Sequence, residues 1–250
     1  MQSYKKNGEN HKICVLFYAL LAKRMGKIKT KWNFSRLNQR LFADFFVILP
    51  TKTNHNNETD MAKVYVFLAD GFEDIEALIP VDVLRRGGVE VVTVSTVEDS
   101  QVVVSAHGVG IVADAMISDC SFDDADLLML PGGMPGATNL YDCGPVREAV
   151  LQQHRQGKRI GAICAAPAVV LAQLGVLDGR RATCYPGFEQ MLTKAEYTGE
   201  LVTVDGHITT GEGPAAALPY AYELLAQLVN PQTSRQVAEG MRFLHLMETK

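Results

Sequence analysis

The stretch "RIGAICAAPAV" (159–169) places Cys164 where a short apolar run passes into an alanine-rich, helix-like segment. No charged residue lies within four positions of it and no histidine adjoins it. The thiolate is the reactive form of cysteine. At a strand-to-helix turn the side chain would stand near free N–H groups and the positive end of a helix, both of which favour ionised sulfur. Cysteine is also among the most commonly buried residue types, so the pattern alone favours a small core side chain over a reactive thiol. Two other stretches offer partners. In "EDIE" (73–76) a carboxylate near the thiol could be held protonated and move protons, or the acids could simply favour a helix N-terminus; the spacing does not choose among Glu73, Asp74 and Glu76. "PGG" (131–133) is a tight turn whose glycines would let backbone N–H groups approach an oxyanion. His107 and His207 stand alone in turn-like segments and read as exposed polar residues.

These residues need a frame, and a strand–helix rhythm from Met61 onward supplies one. "KVYVFLA" (63–69) is an apolar, β-branched run that predicts a buried strand. "DGFEDIEALIPVDVLRRGG" follows with apolar residues at helical spacing and a Gly87–Gly88 stop, with Pro80 predicting a kink or an irregular first turn. "VEVVTVS" (89–95), "DLLMLPGG" (126–133) and "RIGAIC" read as further strands, and "ATCYPG" as the end of another. "QVVVSAHGVGIVADAMI" reads as two short extended segments about Gly108, and "ELVTVDGHITT" as a hairpin about Asp205–Gly206. Helices are predicted over 144–157, within "APAVVLAQLG", and over 214–229 and 232–247. Alternating strands and helices imply one doubly wound α/β domain with a mostly parallel sheet covered on both faces. In such sheets ligands bind beyond the carboxyl ends of the strands. That rule selects "DGFEDIE", "PGG", "CAAP", "CYPG" and "TGEGP" as one convergent rim.

Charge divides the chain at the same place. Residues 1–60 carry eleven Lys/Arg against four Asp/Glu, and residues 61–250 carry thirteen against twenty-four. The acidic body, without a basic stripe, argues against nucleic-acid binding by 61–250. "ICVLFYALLA" (13–22) is too short to span a bilayer and is followed by no close cleavage motif. Residues 1–60 are therefore expected to be a loosely ordered basic extension, or a stretch upstream of a start at Met61. A basic amphipathic anchor and an export signal are the competing readings. Five scattered cysteines without metal-ligand spacing argue against a disulfide framework or a zinc site and suit a reducing cytoplasm. "GEGPAA" (211–216) is a poor dinucleotide fingerprint, interrupted by Pro214, and no phosphate-binding G-x-x-x-x-G-K-[ST] occurs.

With "LADGFEDIEALIPVDVLRRGG", "LMLPGGMPGATNL" and "GAICAAPAVVLA" in this order, the chain resembles the ThiJ/PfpI superfamily over roughly residues 62–246. It is most similar to the branch of the parkinsonism-associated protein deglycase and its bacterial relatives. The resemblance implies a flavodoxin-like, class I glutamine amidotransferase-like sandwich with the cysteine on a strained elbow. It implies Cys164 as nucleophile, Glu76 as its carboxylate, and Gly132, Gly133 and Ala165 as backbone oxyanion contacts. Arg85 and Arg86 match a basic pair near the homodimer interface of that branch. Several positions depart from the pattern: Tyr185 precedes Pro186 where some relatives have a histidine, and Ala165 replaces the histidine of the protease-like branch, which disfavours a Cys-His peptidase. His107 stands at a relative's arginine contact, and Glu212, before Gly213, stands where others have Arg or Gln. His107, Tyr185, Glu212 and Gly213 are thus candidate pocket residues.

What the resemblance implies for function is an enzyme without metal or other cofactor, acting on reactive dicarbonyls such as methylglyoxal and glyoxal or their early adducts. The alternative is a redox sensor or redox-regulated chaperone working through oxidation of Cys164. A thiazole-monophosphate biosynthesis role, a label often attached to such sequences, finds no phosphate loop to support it.

Overall fold

Lys63–Leu68 forms β1, five of whose six residues are fully buried because helices cover both faces of the sheet it joins. The structure is a computed structural model that describes residues 61–248; the expectations for residues 1–60 lie outside the described residues. After β1 come α1 (Asp74–Arg86), β2 (Glu90–Ser95), β3 (Val102–Val104), β4 (Gly110–Val112), β5 (Ala115–Met116) and β6 (Leu127–Leu130). Helices α2 (Gly136–Asp142) and α3 (Gly144–Arg155) lead to β7 (Arg159–Ile163) and a π-helical turn, Pro167–Ala172. The chain then forms β8 (Arg181–Ala182), β9 (Glu196–Tyr197), β10 (Val202–Asp205) and β11 (Ile208–Gly211). It closes with α4 (Ala217–Leu228), α5 (Pro231–Gly240) and α6 (Phe243–Glu248).

Seven strands share one sheet in the order β10-β11-β7-β6-β1-β2-β5, parallel throughout except for the β10–β11 hairpin. Strand periodicity sorts the side chains into two cores. Val64, Val66, Leu68, Leu127, Met129 and Ile163 face α1 and α4, whereas Tyr65, Phe67, Leu128, Leu130, Ile160 and Ala162 face α2, α3 and the π-helical turn. The expected α/β sandwich, with a mostly parallel sheet between helical layers, is the observed one.

Details differ from the sequence reading. Pro80 lies inside α1, where it cannot donate to the Glu76 carbonyl, yet the helix runs unbroken from Asp74 to Arg86. The strand expected at "ATCYPG" shrinks to two residues, which pair with β9 in a separate two-stranded sheet. The segment after Cys164 winds as a π-helical turn, the first closing helix begins with a 3-10 turn at Pro214–Ala216, and the second breaks at Met241–Arg242. Arg242 has φ +64°, a left-handed conformation that ends the helix before it.

One contact sets the spacing of β7 against α4. A Cβ on Gly161 would stand 2.5 Å from the Tyr220 hydroxyl, which is buried and has no hydrogen-bond partner among the described residues. Tyr220→Phe should therefore raise stability by about 1 kcal/mol, since it removes an unsatisfied buried hydroxyl. Gly161→Ala should cost about 1–3 kcal/mol alone and almost nothing in the Tyr220→Phe background, where the remaining contacts begin at 3.5 Å. Denaturant unfolding of the four proteins checks this; equal costs in both backgrounds would refute it.

Candidate active site

All five rim stretches are engaged by hydrogen bonds that end on Cys164 or Glu76. The Cys164 N–H donates to the Gly211 carbonyl at the end of β11 (2.9 Å), and the Cys164 carbonyl accepts the Tyr185 N–H (2.8 Å). Between these clamps Cys164 adopts φ +64°, a left-handed conformation that costs a non-glycine residue of order 1 kcal/mol or more. The turn aims its side chain at the loop after β6. There a Cβ on Gly132 would come within 2.7 Å of both Cys164 Cβ and Glu76 Oε2, so only glycine permits the approach. Gly133, at φ +84°, lies as close to the backbone of Phe72 and Glu73, which fixes the same loop against the start of α1.

Glu76 lies in the first turn of α1 and has no exposed surface. Its N–H donates to the Glu73 side chain (2.8 Å), which caps the helix, and the Glu73 N–H donates to the Gly132 carbonyl (3.0 Å). Glu76 Oε2 accepts the Gly132 N–H at 2.9 Å. Gly132 was expected to face an oxyanion; instead its amide is already committed to the Glu76 carboxyl. The amides of Gly133 and Ala165 are the ones that favour an ionised Cys164 sulfur. Glu76 Oε1 is buried and has no partner of regular hydrogen-bond geometry among the described residues, so its coupling to the nearby thiol is a loose contact.

Burial dominates the ionisation of this pair. It raises the Glu76 carboxyl to about 7; the thiol and the Gly132 amide pull it down, and the Glu73 charge pushes it up. Burial likewise raises the Cys164 thiol, helped by the negative charge of Glu76 and opposed by the amides of Gly133 and Ala165. Two acids that share a dry site do not both ionise readily, so above about pH 7 the pair carries one negative charge and retains one proton. The sequence reading expected a helix terminus to lower the thiol; removal from water outweighs that effect here.

The remaining candidates flank this centre. Asp74 faces away from Glu76 and holds the β3–β4 loop, accepting from the Ser105 hydroxyl and pairing with His107 Nδ1, each at 2.6 Å. Partial burial works against the Asp74 carboxylate, but these two hydrogen bonds prevail and hold it below its ordinary range. The same bond raises the exposed His107 imidazole. On the other side the Tyr185 ring covers Gly213, where a Cβ would meet it at 3.0 Å, and the Glu212 N–H donates to Leu201. Sequence reasoning missed Glu73 as the helix cap and Gly211 as the carbonyl that clamps Cys164. The first had a signal, an acid three residues before Glu76; the second depends on β11 lying beside β7. Glu73, Asp74 and His107 place potential ligand atoms within 4.8 Å of one another, but Glu73 and Asp74 already hold the bonds described.

Comparison with known proteins gives a consistent picture. The sequence model of the DJ-1/PfpI family matches residues 62–227. Protein DJ-1 homolog B of Arabidopsis thaliana is 40% identical over 177 residues, covering 70% of this chain and 40% of the relative. The chain thus spans less than half the length of that plant relative. The glutathione-independent glyoxalase DJR-1.2 of Caenorhabditis elegans is 31% identical, with 68% of this chain and 89% of the relative covered. Among solved structures, oxidized DJ-1 of Toxoplasma gondii superposes with a TM-score of 0.68 at 37% identity, covering 72% of this chain and 97% of that one.

The raised carboxyl has a thermodynamic consequence. A group whose folded value lies above its unfolded one stabilises fully below the unfolded value, and that contribution is lost as pH rises through the folded one. For Glu76 the window runs from about 4.5 to about 7. Wild type should lose up to about 3 kcal/mol relative to Glu76→Gln between about pH 4 and about pH 8, so the variant should be the more stable protein in mild alkali. Parallel denaturant titrations at the two pH values measure the difference, and parallel pH dependences would contradict it.

Proposed function

Because the chain belongs to the DJ-1/PfpI family, we propose that it is a cysteine-dependent, cofactor-independent glyoxalase or deglycase acting on methylglyoxal, glyoxal or their early adducts. The observation that carries this reading is the buried Cys164–Glu76 pair, brought together over Gly132. The nematode relative, a glutathione-independent glyoxalase by name, supports it.

The reaction starts from the thiol and the Glu76 carboxylate, which takes the thiol proton as sulfur attacks. Sulfur adds to the aldehyde carbon, the carbonyl electron pair moves to oxygen, and that oxygen takes the Glu76 proton, giving a hemithioacetal. The Glu76 carboxylate then removes the proton from the former aldehyde carbon, giving an enediolate, and delivers it to the neighbouring ketone carbon while the hydroxyl proton passes to the ketone oxygen, leaving a thioester of the hydroxyacid. Water cleaves the C–S bond, releases the hydroxyacid and restores the pair with its proton. The Gly133 and Ala165 amides are placed to hold the developing oxyanion, while Gly132 fixes the carboxyl that moves the protons. His107 and Tyr185 with Gly213 and Glu212 would border the substrate on opposite sides.

A homodimer fits the surface. Ile75 and Leu78 on α1 and Val102, Val104 and Val112 on β3–β4 are exposed, and the Asp74–Ser105 bond joins the two elements into one apolar face. No described helix is long and apolar enough to cross a membrane, and the cysteine usage fits a reducing cytoplasm.

A second reading is favoured by one feature, the Gly133 and Ala165 amides directed at the sulfur opposite a protonatable carboxyl. Peroxide could convert the thiolate to a sulfinate, two equivalents delivering the two oxygens and leaving as water, and these groups would cap it.

Incubation with methylglyoxal should yield lactate. Cys164→Ala should abolish turnover, and Glu76→Gln should lower kcat by about a hundredfold or more; turnover that persists in both variants would sink the proposal. Under mild peroxide, sensing requires a mass gain of two oxygen atoms confined to Cys164, and indiscriminate oxidation of the other cysteines counts against it. Ile75→Asp should convert the dimer to monomer in light scattering; a wild-type monomer would refute the assembly.

A further inference from the structure

At the end of the sheet opposite Cys164, two histidines 53 positions apart in sequence meet. His154 Nδ1 and His207 Nε2 are 3.1 Å apart, with ring centroids 5.2 Å apart and ring planes tilted by 37°. His154 lies in the last turn of α3, and His207 in the turn between β10 and β11. The His207 carbonyl accepts the Ile160 N–H at 2.9 Å, which pins the turn to the start of β7, and both side chains are half-buried. Each imidazole is thus carried by a fixed element.

Two nitrogens bound to one ion at about 2.0–2.1 Å, with bond angles between square and tetrahedral, stand about 2.9–3.4 Å apart. The observed separation falls in that interval. We propose that His154 and His207 form a two-histidine site for a divalent transition-metal ion of the zinc, nickel or copper class, with water in the remaining positions. Imidazole nitrogen selects these ions, whereas magnesium and calcium seek oxygen.

The surroundings suit this role. Without metal, one imidazole N–H donates to the other nitrogen. On binding, that proton moves to the donor's second ring nitrogen and both lone pairs turn to the ion, so no proton is lost from the pair. Burial, and then the Arg180 guanidinium, hold both imidazoles below their ordinary value and so in the neutral, ligating form. Arg180 is itself balanced by Asp205 at 3.4 Å. Asp205 Oδ2 accepts the Arg181 N–H, so this carboxylate is engaged elsewhere and water is left to complete the shell. The ion would staple α3 to the β10–β11 turn, and β7 separates it from the thiol by a full strand length. Its effect is on stability.

Titration of the metal-stripped full chain with Zn²⁺ against a competing chelator tests the site. Wild type should bind one equivalent more than the His154→Gln/His207→Gln double variant, with a rise in thermal midpoint that the variant lacks. Each single variant should lose at least tenfold in affinity for that equivalent, and His107→Gln should keep it. Equal stoichiometry and affinity in wild type and double variant would overturn the proposal. Should the variants fold poorly, X-ray absorption of wild type loaded with one equivalent of Zn²⁺ decides. A shell with two imidazole nitrogens supports the site, and one dominated by sulfur refutes it.

Discussion

A carboxyl group without water must be held by something, and Glu76 is held by one backbone amide, that of Gly132. Much of the architecture around the site follows from that bond. Gly132 must be glycine because a side chain would strike both acid and thiol, and Gly133 must turn with positive φ to bring the amide into place. Helix α1 must begin where it does, with Glu73 closing its first turn and reaching back to the Gly132 carbonyl. The loop after β6 and the start of α1 therefore fix each other, and the sheet brings β7 alongside to deliver the thiol.

The cysteine is held by different means. Its backbone is in a conformation it would not choose, and the strain persists because both of its peptide groups are bonded, one to β11 and one to Tyr185. The carboxyl is destabilised by dehydration and the thiol by dehydration and torsion, and the packed sandwich compensates for both. Glu76 and Cys164 thus form a locally unfavourable centre inside a stable frame, as expected where chemistry requires groups that water would otherwise quench.

How much of this was legible in the sequence depended on whether the information was local. The alternation of β1, α1 and β2 was plain because a strand buried on both faces is continuously apolar. The rim followed from strand polarity, and "PGG" announced a close approach. Residue composition alone did not separate Glu73, Asp74 and Glu76; three neighbouring acids take three duties, as cap, loop anchor and buried partner, and only helix phase assigns them. The short strand β8 was overestimated because it pairs only with β9, in a separate two-stranded sheet, and does not enter the main one. The meeting of His154 with His207 was invisible, since it depends on β11 lying beside β7, an adjacency that no local pattern encodes.

The Asp74 latch has a further consequence. A single turn of α1 carries Asp74, which grips the β3–β4 hairpin, and two residues later Glu76, which addresses the thiol. The outer apolar side chains and the inner Cys164–Glu76 pair are therefore carried on one turn of helix. A ligand that bound this face and shifted the turn would shift the carboxyl with it. By reciprocity, a group bound at the thiol that shifted the turn would act on the face to the same extent. Communication between surface and centre needs no long pathway here, because the two readouts sit on adjacent sides of the same helical turn.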